Sequence, residues 1–106
     1  MKLYGLKSCD SCKKALSQLR AAGHDIEFFD IRIDPLDQSQ IADLLARHGD
    51  QLLLNRKSTT WHKLAESDRL LPTETLLALH PTLIKRPVIF DYDTSYIGWG
   101  QDVQTA

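Results

Sequence analysis

The chain has 106 residues, 42% hydrophobic and 25% charged, with 5 Gly and 4 Pro. That composition excludes disordered and collagen-like chains, and no apolar run approaches the roughly 18 residues a membrane span needs. The 13 Lys and Arg against 14 Asp and Glu leave a net charge of -1, which argues against direct nucleic-acid binding. The length predicts one domain over residues 1–106. Met1-Lys2-Leu3-Tyr4-Gly5 lacks the apolar core of a secretory leader, which predicts a cytoplasmic address.

In chain order, Lys2-Leu3-Tyr4-Gly5-Leu6 reads as a short strand, and Ser8 to Asp10 offers N-cap residues. Cys12, Ala15, Leu16 and Leu19 then recur at helical spacing, and Gly23 closes the helix. Ile26 to Ile31 is a second strand, giving a β-α-β start with parallel strands and a right-handed connection. Asp34-Pro35 breaks it. Asp37 and Gln40 have capping-box spacing ahead of Ile41, Leu44, Leu45 and His48, and Gly49 ends that helix. Leu52-Leu53-Leu54 is a short apolar segment. Ser58 or Thr59 caps a short helix carrying Trp61, Leu64 and Ala65, and Pro72-Thr73 opens another with Leu76, Leu77 and His80. Pro87 to Phe90 and Tyr96 to Gly98 form a closing hairpin around Tyr92-Asp93-Thr94, followed by a short tail helix. The sum is an α/β chain: a β-α-β start, a helical insertion and a C-terminal β-hairpin.

The chain's two cysteines stand as Cys9-Asp10-Ser11-Cys12. A bridge that closes so small a loop constrains little of the unfolded chain, so a structural disulfide gains little. Zinc would need a second ligand pair, and His24, His48, His62 and His80 are scattered singly, which predicts no metal. Redox chemistry fits better. Cys9 falls in a strand-to-helix turn, where free N–H groups and the helix dipole favour a thiolate, and Lys7 adds a nearby cation. Cys12, one turn on, lies within the Cα spacing of about 5.5 Å that a disulfide takes. The spacing therefore suits attack by Cys9 and resolution by Cys12. A C-x-x-C at the first strand-helix junction of a β-α-β pattern indicates a thioredoxin-like fold.

Three ordered blocks carry a more specific likeness. Leu3 to Ala15 around the cysteines, Leu54-Asn55-Arg56-Lys57-Ser58-Thr59-Thr60-Trp61, and His80 to Val88 resemble the arsenate reductase (ArsC)-like family, in the branch of Spx and the small YffB-like proteins. Ile97-Gly98-Trp99 fits the same pattern. The resemblance implies a thioredoxin-like sheet with a helical insertion and a cis peptide at Arg86-Pro87 facing the cysteine loop. By motif position Cys9 matches the family nucleophile, and Arg56 and Arg86 match two of its oxyanion-holding arginines. Guanidinium forks suit tetrahedral oxyanions and favour a thiolate. The family's third arginine is Trp99 here, and Lys7-Ser8 replaces the arsenate-type Asn-Pro before the cysteine.

The leading reading is thus a small thiol-disulfide oxidoreductase with no bound cofactor and glutathione as co-substrate. Its partners are glutathione or glutaredoxin and a small oxyanion or disulfide substrate. Lys7, Arg56 and Arg86 would hold a glutathione carboxylate, with Pro87 and Trp99 lining the site. One alternative is an arsenate reductase using glutathione and glutaredoxin. Another is an Spx-like redox-sensing regulator that binds the RNA polymerase α subunit, although Spx proteins carry a charged C-terminal extension beyond the point where this sequence ends. Plainer readings stand beside these. Cys9 could be an inert turn residue, Cys12 a small core residue, Arg56 and Arg86 surface charges, and Trp61 and Trp99 packing. Asp10 would oppose ionisation of its neighbour Cys9.

Overall fold

A computed structural model describes residues 1–104. The chain forms two compact units: residues 1–34 with the segment from Arg86 onward, and residues 35–85.

The first unit begins with β1 (Lys2–Gly5), α1 (Asp10–Ala21) and β2 (Glu27–Asp30), and is completed by β3 (Val88–Asp91), β4 (Thr94–Ile97) and α7 (Gln101–Gln104). The sheet order is β2-β1-β3-β4. β1 runs parallel to β2, with Tyr4 opposite Phe29, and antiparallel to β3, with Leu3 opposite Ile89. The β-α-β start and the closing hairpin are as the sequence predicts, with β1 one and β2 two residues shorter, β3 shifted by one residue, and β4 starting two residues earlier and ending one earlier. Alternation explains the two faces. Leu3, Ile26 and Ile89 point one way and enclose Ala15 of α1, with all four nearly or fully buried. On the opposite face Tyr4 stacks on Phe29 at 4.8 Å and meets Phe90 edge-on at 5.6 Å, an aromatic row across three strands.

The helical stripe of α1 is real but graded, with Cys12 and Ala15 buried and Leu16 and Leu19 half-buried. The helix ends in a Schellman motif. The His24 N–H donates to the Leu19 carbonyl at 3.1 Å and the Gly23 N–H to the Arg20 carbonyl at 3.0 Å. That closure places Gly23 at φ +92°, where a side chain would be strained. The β3–β4 hairpin turns on two residues, Tyr92 and Asp93, so Thr94 belongs to the strand rather than the turn. Tyr92 is fully exposed and holds φ 55°.

The second unit is helical: α2 (Gln38–His48), α3 (Asp50–Leu53), α4 (Thr59–Lys63), α5 (Glu66–Arg69), α6 (Thr73–Leu79) and a 3-10 turn at Pro81–Leu83. α2 packs on α3 and α6. Its core is Ile41, Leu44, Leu53, Leu76, Leu77 and Leu83, each at most 1% exposed. The capping box forms as its spacing predicts. Asp37 accepts from the Gln40 backbone at 2.7 Å, and the Gln40 side chain accepts from the Asp37 N–H at 2.9 Å. Asp37→Ala is therefore expected to cost about 1 kcal/mol of stability, read as a lower urea midpoint.

Three local expectations change. Leu52 and Leu53 lie in α3, and Leu54 makes an isolated antiparallel bridge to Ile84. Leu64 and Ala65 fall beyond α4, because the backbone turns extended at Leu64. Ala65 then caps α5, a helix of one turn that is too short to show a period in the sequence. No helix among the described residues is long and apolar enough to cross a membrane.

Candidate active site

The site starts from a tight fit between β1 and α1. Gly5 ends β1, and a Cβ built there would run into the Cys12 sulfur and lie 3.2 Å from the Cys12 Cβ. The missing side chain lets the first turn of α1 sit against the strand. Cys12 is consequently 1% exposed. Cys9 is the N-cap, with extended backbone at φ -83° and ψ 121°. Its N–H donates to the Leu6 carbonyl at 3.1 Å, and its own carbonyl accepts from Lys13 at 3.0 Å. These bonds lock the turn and leave the Cys9 side chain half-buried at the helix start.

The two thiols are driven apart electrostatically. Partial burial opposes ionisation of Cys9, but the Cys12 N–H, the Cys12 thiol and the Arg86 guanidinium outweigh it, so the Cys9 pKa falls below its ordinary value. No aligned capping bond reaches the Cys9 sulfur, so the Cys12 N–H acts by proximity. For Cys12, burial dominates and the neighbouring Cys9 adds to it, pushing the thiol up to about 12. Cys12 is thus held protonated and donates toward the Cys9 sulfur, stabilising its negative charge.

The raised Cys12 pKa fixes the sign of a stability effect. Between the ordinary thiol range and about 12, the unfolded chain loses this proton while the folded chain keeps it. Stability is full below about pH 9 and falls as the pH rises above it. Urea midpoints measured from about pH 8 to pH 11 are expected to fall more steeply for the wild type than for Cys12→Ser.

Of the predicted site residues, the fold brings Cys9, Cys12 and Arg86 together in the first unit. The Arg86-Pro87 peptide is cis, and Pro87 is buried with its carbonyl accepting from Gly98 at 2.8 Å. Lys7 is exposed and shares the lining of a cavity of about 280 Å³ with Cys12. Trp99 lies elsewhere. Its indole N–H donates to the Gln18 side chain at 3.1 Å and its ring packs with the Leu3–Ile89 core, placing it on the second half of α1 rather than at the cysteine turn. Arg56 belongs to the second unit, where its guanidinium lies 5.6 Å from the Trp61 ring centroid. Trp61 also carries Arg69, at 5.2 Å, whose Nη2 donates to the Trp61 carbonyl at 2.9 Å. The sequence reading missed Arg69, the Gln18 partner of Trp99 and the role of Gly5. Only Gly5 left a signal, as a glycine ending the strand before a C-x-x-C.

The sequence matches the ArsC family over residues 4–105. An uncharacterized protein of Haemophilus influenzae is 39% identical over 105 residues, which covers 93% of this chain and 90% of that one. The global transcriptional regulator Spx of Bacillus subtilis is 31% identical over 107 residues, covering 94% of this chain and 80% of Spx. Among solved structures, a YffB protein is similar with a TM-score of 0.90 at 31% identity, covering 98% of this chain and 95% of that one. The architecture is accordingly thioredoxin-like α/β, as the C-x-x-C position predicts.

Proposed function

The chain belongs to the ArsC family, and on that premise we propose that it is a thiol-disulfide oxidoreductase with Cys9 as nucleophile. The observation that carries the reading is the lowered Cys9 pKa, which rests on Arg86 and Cys12. The Cys9 thiolate attacks one sulfur of a mixed disulfide. That S–S bond breaks as the Cys9–S bond forms, and the departing thiolate takes a proton from water. A second thiol then attacks the Cys9 mixed disulfide, returns Cys9 to its thiolate and leaves as the oxidised disulfide.

The burial and high pKa of Cys12 favour a small external thiol such as glutathione in this second step. In the first step Cys12 acts as a hydrogen-bond donor to the nucleophile. The nearness of the Arg86 guanidinium to Cys9 supports a role for it in holding a substrate carboxylate or oxyanion.

The test is the rate of Cys9 alkylation by iodoacetamide against pH, with turnover of a glutathione mixed disulfide in the same samples. The wild type is expected to titrate below the free-thiol value of about 8.5, and Arg86→Gln to move the curve upward and slow alkylation at pH 7 several-fold. A wild-type Cys9 that titrates as a free thiol and turns over no disulfide would refute the reading. Arsenate reduction is the weaker enzyme reading, since Trp99 stands where the third arginine would be and is bonded to Gln18. Arsenate-dependent NADPH oxidation coupled through glutaredoxin is expected to be feeble or absent.

A second reading is favoured by the 31% identity to Spx across most of this chain. It makes Cys9 and Cys12 a redox switch on a protein that binds the RNA polymerase α subunit. Capture of that subunit's C-terminal domain by the purified protein, in its reduced and oxidised forms, separates the two readings.

A further inference from the structure

A groove runs along the β2 side of α1 and ends at the active-site turn. Its volume is about 280 Å³, its floor includes Leu16, Phe28 and the buried Cys12, and its rim carries Lys7, Lys13 and Arg20. All three rim cations are exposed, and the Arg20 guanidinium donates to the Ile26 carbonyl at 3.3 Å. Asp30, the carboxylate that ends β2 opposite Gly5, accepts the Arg32 N–H at 2.9 Å and does not line the groove. The groove therefore presents positive charge over an apolar floor, on a chain whose net charge is -1.

Shape selects among anions. Lys13 and Arg20 are seven residues apart on one helix, a separation of about 10 Å. A single oxyanion or one carboxylate cannot bridge that distance, whereas an extended peptide covers it in about three residues. β2 is an edge strand, with no strand on its outer side among the described residues, so its backbone offers a partner for such a peptide.

We propose that this groove docks an acidic, extended segment of a protein substrate, with two carboxylates on the same face of the peptide, an even number of residues apart, on Lys13 and Arg20 and an apolar side chain between them on Leu16 and Phe28. The inference rests on the thiol-oxidoreductase reading and narrows its substrate class from small disulfides to glutathionylated protein cysteines in acidic surroundings. Cys9 attacks the glutathione sulfur, the protein thiolate leaves and is protonated, and a second glutathione regenerates Cys9 while forming glutathione disulfide. The net change is one mixed disulfide and one thiol converted to one protein thiol and one glutathione disulfide.

Two synthetic peptides, one acidic and one basic, each with a single glutathionylated cysteine, test the proposal against the neutral bis(2-hydroxyethyl) disulfide. The wild type is expected to show a KM about tenfold lower for the acidic peptide. In Lys13→Glu/Arg20→Glu that preference disappears or inverts, while turnover of the neutral disulfide is unchanged. Equal KM values for the two peptides, with the neutral disulfide reduced normally, overturn the docking proposal and leave the oxidoreductase reading intact. If the wild type reduces none of the three substrates, that reading fails. Docking is then decided by fluorescence anisotropy of a labelled acidic peptide with serine in place of cysteine. Binding that the double substitution weakens about tenfold supports the groove, and no binding overturns it.

Discussion

Cys9→Ser is expected to reduce kcat/KM for disulfide substrates by at least about a thousandfold. The serine hydroxyl stays protonated at any working pH, and neither Arg86 nor the first turn of α1 can supply the thiolate it lacks. The turn itself should survive. The Cys9 backbone bonds to Leu6 and Lys13 do not involve its side chain, and a serine is a better N-cap than a cysteine. The variant should therefore melt at or slightly above the wild-type temperature while losing activity. Residual thiol-dependent turnover within tenfold of the wild type would remove Cys9 from the mechanism.

The second large effect falls on a residue with no side chain. Gly5→Ala places a methyl group against the Cys12 sulfur and close to its Cβ. The strand cannot retreat, because β1 is hydrogen-bonded on both sides, to β2 and to β3. Either the Cys12 thiol rotates away from Cys9 or the start of α1 lifts off the sheet. Both outcomes cost stability, about 1–3 kcal/mol for overpacking at such a site. Both also remove the Cys12 donor from Cys9, so the Cys9 pKa should rise toward its ordinary value. A thermal melt and an alkylation profile report the two consequences separately. A Gly5→Ala protein with wild-type values in both would show that the contact is not needed. Because the clash involves the sulfur itself, Gly5→Ala and Cys12→Ala are expected to be non-additive, with the double variant less destabilised than the sum of the singles.

What the sequence made legible depended on whether a signal was local. The strand–turn–helix around Cys9 was readable because strand, cap and helical stripe lie within twenty residues. The Asp37–Gln40 capping box was readable for the same reason. The ends of α4 and the existence of α5 were not, because a one-turn helix has no period to detect. At the site, the strand-to-helix turn and its two cysteines were legible from composition and spacing, but the partners of single side chains were not. Trp99 reaches Gln18 across most of the chain, and Trp61 sits beside Arg69 as well as Arg56. Pairings of that kind are set by packing, which no periodicity encodes.

The first unit is discontinuous, and this affects how the protein is made. β1, α1 and β2 leave the ribosome early, whereas Arg86, β3 and β4 leave it late. The central pairing of β1 with β3 joins the two ends of the chain, a long loop to close and a slow step in folding. Until it closes, Cys9 lacks the Arg86 guanidinium that helps to lower its pKa. Completion of the chain thus brings Arg86, from the last-made segment, to the first-made cysteine turn.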